Sequence, residues 1–140
     1  MRKLAVLSIM LALMLVASLA LAELPAPFEK IREYAQQSGK VEQGIYFTEH
    51  EGVMNGQNYS IVFIYNPILD IVGIGMIIEE SGDPPTFVRW DGEHGVFQQL
   101  FFTPFGVAVE EIPESMAVEI AYGIMTHAVR LKLIKLEIVI

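Results

Sequence analysis

Three histidines are the residues best equipped for acid–base or metal chemistry, and their spacing decides what they can do. His50 stands between Glu49 and Glu51, His94 follows Asp91 and Glu93, and His127 lies in a helical stretch. Neighbouring residues of a strand point to opposite faces, so Glu49 and His50 do not share a ligand. The turn Asp91-Gly92-Glu93-His94 offers oxygen and nitrogen donors, but such turns are common and borderline metals need a fuller set. No His-x-x-x-His pair occurs in the chain. No metal and no cofactor is expected.

The carboxylates gather at Glu79-Glu80 with Asp83 and at Glu110-Glu111 with Glu114. A calcium loop needs oxygen ligands at alternating positions around a glycine, which the first group is too short to provide. A glycosidase needs two carboxyl groups facing each other across a cleft, and nothing singles out a pair. Ser60, Ser81 and Ser115 lack the Gly-x-Ser-x-Gly elbow that raises a nucleophile above a sheet. The chain contains no cysteine, which removes thiol nucleophiles, disulfide scaffolds and zinc–thiolate sites together. No catalytic residue is assigned.

What remains is apolar surface. Trp90, Phe97, Phe101, Phe102 and Phe105 cluster in sequence, and Phe105-Gly106 falls in an expected loop. An exposed Phe105 beside Trp90 is the first choice for a contact surface. Gly73 and Gly75 share a parity inside an apolar run, so one face of that strand lacks side chains there. A helix packed closely on that bare face is one explanation, and a shallow apolar groove is the functional one. Gly73-x-Gly75 is no dinucleotide fingerprint, because no helix follows it.

Composition bounds the context. Arg2 and Lys3 precede an apolar run over residues 4–16, interrupted only by Ser8, and Ala20-Leu21-Ala22 follows. This is the form of a cleavable signal peptide over residues 1–22, with a single domain over 23–140 that is exported to the periplasm or secreted. An uncleaved anchor is the rival reading, since residues 4–22 approach the ~20 that span a bilayer. All 17 acidic residues follow residue 22, and two of the nine basic ones precede it, leaving a domain of about −10 charge. Between Val41 and Val129 the one basic residue is Arg89. Nucleic acid is therefore excluded as a partner. Solubility accounts for this charge, and attraction to a basic partner is the sharper reading.

The elements that would position these residues follow from pattern. Phe28, Ile31, Tyr34 and Ala35 form one helical face over residues 28–38, with Gly39 as the stop. Five strands are expected at 45–50, 59–65, 69–78, 86–90 and 96–102. Asn55-Gly56, Ser81-Gly82-Asp83-Pro84-Pro85 and Asp91-Gly92 are the turn signals among them. Pro113 opens a longer helix whose stripe is Met116, Ala117, Ile120, Ala121, Ile124, Met125 and Ala128. Residues 133–140 fit either an edge strand or more helix.

The expected fold is α+β: an N-terminal helix, a five-stranded antiparallel meander, and a longer C-terminal helix on one sheet face. This layout resembles small helix–meander–helix adaptor and secretion-chaperone folds, a likeness that carries no function by itself. Ile61 and Phe63 lie on one face of their strand and Val62 and Ile64 on the other, so both faces need cover. The loop at 103–112, the tail, a second subunit or a ligand would supply it on the side away from the helices.

A non-enzymatic protein-interaction module, binding an unknown protein or itself, is the leading expectation. A carrier or sensor of a small apolar ligand is the alternative, and a hydrolase whose site leaves no linear motif is the third. No membrane contact is expected once the leader is removed.

Overall fold

The computed structural model describes residues 24–131, so the expected leader over 1–22 and the stretch 133–140 lie outside the described residues. Helix α1 (Ala26–Ser38) is followed by seven strands and helix α2 (Glu114–Arg130). The strands are β1 (Lys40–Glu42), β2 (Ile45–Met54), β3 (Gln57–Asn66), β4 (Ile71–Ile78), β5 (Thr86–Asp91), β6 (Val96–Thr103) and β7 (Gly106–Ile112). They pair in sequence order as one antiparallel sheet. The α+β class stands, and the five-stranded meander is corrected to seven strands.

Both extra strands are edges. β1 escapes notice because it has three residues, and it turns into β2 through Gln43-Gly44, both at positive φ. Two successive positive φ values make the mirror-image turn that suits a tight hairpin. Asn55-Gly56 has the same geometry and joins β2 to β3. β7 replaces the loop expected over 103–112. That segment therefore extends the sheet instead of folding back over it. β2 also runs four residues past His50.

Both helices pack on one face. α1 buries Phe28, Ile31 and Ala35, and its N-terminal turn closes on the Pro25 carbonyl. α2 buries Ala117, Ala121, Ile124, Met125 and Ala128, the small residues letting its axis sit close to the sheet. Met116, expected in that stripe, is exposed. From the sheet come Ile61, Phe63, Val72, Ile74, Val88, Phe97 and Ile112, with the Phe28 and Phe97 rings 5.1 Å apart. Each large core side chain contributes about 1.5–3 kcal/mol by leaving water.

Gly39 does stop α1, but by another route than the left-handed cap. Its φ of −76° is open to any residue. A Cβ there would collide with the Ala35 carbonyl oxygen and lie 3.1 Å from the Phe47 carbonyl oxygen and from Thr48 Oγ1. The chain leaves the helix and enters the sheet through a gap that admits only hydrogen.

Candidate contact face of the sheet

Alternation along each strand sends the remaining side chains to the face opposite the helices. The register fixes which of them meet. One row crosses six strands as Glu49, Val62, Gly75, Phe87, Leu100 and Val109. The parallel row runs Lys40, Phe47, Ile64, Gly73, Arg89, Gln98 and Glu111. Phe102 pairs with Val107 one step beyond the first row. No described helix covers either row.

The apolar part of this face meets water. Ile77, Phe102, Val107 and Val109 are 42%, 44%, 52% and 49% exposed, which for four large apolar side chains on one face is unusual. Gly73 and Gly75 form a bare strip on it, and the Phe87 ring lies over them. The helix considered above for that spot is on the other side of the sheet. Beside the ring, Val62, Gly75, Ile77, Pro85, Phe87 and Phe102 line a groove of about 300 Å³ that opens to solvent.

Polar groups rim the belt. Glu49 Oε1 accepts a hydrogen bond from the Ser60 hydroxyl at 3.1 Å. The Arg89 Nε–H donates to Gln98 Oε1 at 2.8 Å. Glu51, Glu79 and Glu111 are exposed around the edges. The face is thus an apolar band in a frame where four carboxylates, of Glu49, Glu51, Glu79 and Glu111, outnumber Lys40 and Arg89.

The histidines are placed apart from one another in role. His50 points to the helix side, where the Tyr34 hydroxyl meets its Nε2 at 2.5 Å and the Phe63 ring stands at 6.4 Å. Burial lowers its pKa from 6.5, so the neutral ring is favoured there. Glu49 lies on the opposite face, as strand alternation requires. His127 stacks on Tyr59 at 5.5 Å, and its Nδ1 has no hydrogen-bond partner among the described residues.

Asp91 and His94 do come together. The His94 Nδ1 sits 2.8 Å from Asp91 Oδ2, and the His94 backbone N–H donates to Asp91 Oδ1 at 3.3 Å. Burial alone would raise the Asp91 carboxyl. The hydrogen bonds from His94, with the charges of His94 and Arg89, outweigh it and leave the pKa below 3.8. The pair ties the β5–β6 turn together. Among the described residues no group of three or more His, Asp or Glu is arranged to hold a metal ion.

Trp90 and Phe105 are not neighbours. Trp90 faces the helices and packs against Phe97 at 4.8 Å, at the start of β6. Phe105 lies past the far end of β6, in the turn to β7, and is fully exposed. Gly73 and Gly75 do share one surface, the open face. Sequence reading placed Leu100 in a run with apolar groups on both faces but passed over Phe87, Val107 and Val109. The signal that finds them is register, which lines Phe87, Leu100 and Val109 up with Val62 once every turn from β3 to β7 is placed. No described helix is long and apolar enough to cross a membrane. The chain matches no family model, no curated protein and no solved structure.

Proposed function

We propose that the protein is an exported, non-enzymatic interaction module whose contact surface is the helix-free face of its sheet. The observation that carries this is the apolar row from Val62 to Val109, continuous across five strands and exposed at its outer end. An exposed apolar band of this kind, rimmed by polar residues, is the usual mark of a protein contact. The rim is acidic, so the partner is a protein with apolar side chains in a basic surround. Export follows from the leader-like residues 1–22.

Site-specific photo-crosslinking tests it in the cells that make the protein. A benzophenone side chain at Phe102, on the open face, is expected to capture one protein of defined mass from the exported fraction. The same probe at Met116, exposed on α2, is expected to capture none. Equal capture from both positions, or none from Phe102, overturns the reading.

The groove beside Gly75 favours one other reading, a carrier of a small apolar ligand, because about 300 Å³ lies at the low end of ligand-site volumes. Native mass spectrometry separates the two. A monomer carrying a small extra mass that leaves on unfolding supports the carrier, and a retained protein partner supports the module.

A further inference from the structure

The two edges of the sheet differ sharply. β1 is three residues long and two of them, Lys40 and Glu42, are charged, a common way to discourage pairing. β7 is seven residues long, and every residue but Ile112 is exposed. It contains no proline and no lysine, and no described residue pairs with its outer side. Along it, alternate backbone N–H and C=O groups turn away from β6.

We infer that β7 accepts an eighth strand from a partner protein: an extended segment with apolar side chains opposite Val107 and Val109 and basic ones opposite Glu110 and Glu111. The inference rests on the reading of this protein as an interaction module, and it names the partner's chemistry. Main-chain hydrogen bonds along an exposed edge supply affinity, and the alternating side chains supply selectivity.

Two observations choose this occupant. The apolar row on the open face does not end before the edge. Leu100 is followed by Val109, and Phe102 by Val107, so an added strand with apolar residues at those two positions continues both rows. Phe105, fully exposed in the adjoining turn, extends the same apolar end.

The second observation is charge. Glu110 and Glu111 are both exposed on β7, and the one basic residue between Val41 and Val129, Arg89, donates to Gln98 two strands inward. Lys40, the other cation of the sheet, lies on the opposite edge strand, and no ion pair to either glutamate occurs among the described residues. A second copy would bring two more glutamates and another net charge of −8 or beyond to the same edge. In the self-paired register centred on Ala108, Val107 meets Val109 but Glu110 meets Gly106 and stays uncompensated. A basic segment answers what a second copy leaves unanswered.

The test uses full-length protein after export and two blocked synthetic peptides designed to pair antiparallel with β7. One is Thr-Lys-Lys-Val-Thr-Val-Thr and the other Thr-Glu-Glu-Val-Thr-Val-Thr. Amide hydrogen exchange read residue by residue is the measurement. The basic peptide is expected to slow exchange at alternate amides of β7 by about tenfold or more. The acidic peptide is expected to bind at least about tenfold more weakly, and the Glu110→Lys/Glu111→Lys variant to reverse that preference.

Three results would overturn the inference. One is no protection of β7 at about 1 mM basic peptide. Another is the outward-facing β7 amides, those not paired with β6, already protected in the free protein, which means that a second copy or another segment of the chain holds the edge. The third is a peptide that perturbs Val62 and Phe87 without protecting β7. That last result moves the docking to the face, so the interaction module survives while the edge pairing does not.

Discussion

Phe87 lies across Gly75. A Cβ built at residue 75 would run into the ring at Cδ2, and one at residue 73 would sit 3.0 Å from Cζ. The two residues are register partners on adjacent strands, so the missing side chain on β4 is filled by a neighbour from β5. Glycine weakens a strand by itself, and here the loss is offset because the ring beds on bare backbone.

That relationship gives the first prediction. Gly75→Ala forces the ring outward into water and lowers stability by about 1–2 kcal/mol, within the usual cost of overpacking. In a Phe87→Ala background the same substitution is neutral or stabilising, because alanine then suits the strand better than glycine. Urea unfolding of the four proteins of this double-mutant cycle reads the coupling directly. A cycle in which the two changes add would mean that the ring does not rest on Gly75.

Gly39→Ala differs in kind. The obstructing atom is the Ala35 carbonyl oxygen, which is backbone and accepts the Gly39 N–H at 2.8 Å. Nothing flexible can move aside. The expected cost is about 2–3 kcal/mol or more, seen as a lower urea midpoint at unchanged m-value.

The inner half of the sheet was legible in the sequence because its signals are local and strong. Asn55-Gly56 fixes one hairpin, Ser81 to Pro85 breaks the chain, and the runs between them are dense in β-branched residues. The edges were not. Lys40-Val41-Glu42 is too short for a periodic pattern, and Gly106-Val107-Ala108-Val109-Glu110-Glu111 buries nothing that would mark it as a strand. An exposed edge carries no hydrophobic contrast, so its Val107 and Val109 read as loop. The two-sided apolar character of Val62 was visible in sequence. Its partners on the open face were not, because register emerges only when every turn is placed.

Acid should weaken the fold in two stages. His50 has its pKa lowered below 6.5 by burial, so the unfolded chain binds that proton more readily than the folded one. Its contribution is complete above about pH 6.5 and is lost as pH falls through the folded value. Asp91, held below 3.8 by His94 once the opposing effect of burial is overcome, adds stability that is lost only in stronger acid. Thermal midpoints between about pH 7.5 and 5.5 should fall more steeply for the natural protein than for His50→Phe, which keeps the contact with Tyr34 and Phe63 without a titrating group. Parallel pH curves for the two proteins would place His50 in water.

The two faces of β3 and β6 set up the sharpest contrast in the molecule. Phe63 is fully buried under α1, with the Tyr34 ring 4.6 Å away, whereas Phe102 is 44% exposed on the helix-free side. Phe63→Ala should cost about 3–5 kcal/mol through lost burial and a cavity. Phe102→Ala should stay within about 1 kcal/mol in dilute protein, because its ring is still half in water. The difference follows only if the open face is uncovered in the free molecule. Were Phe102→Ala to cost as much as Phe63→Ala, something would already be seated on that face. If that cost then vanished on dilution, a second copy is the cover; if it persisted, the cover belongs to the same chain. A small cost for Phe102→Ala, together with capture of a partner by the benzophenone probe at the same position, would separate binding from folding, the behaviour of a surface kept apolar for a partner.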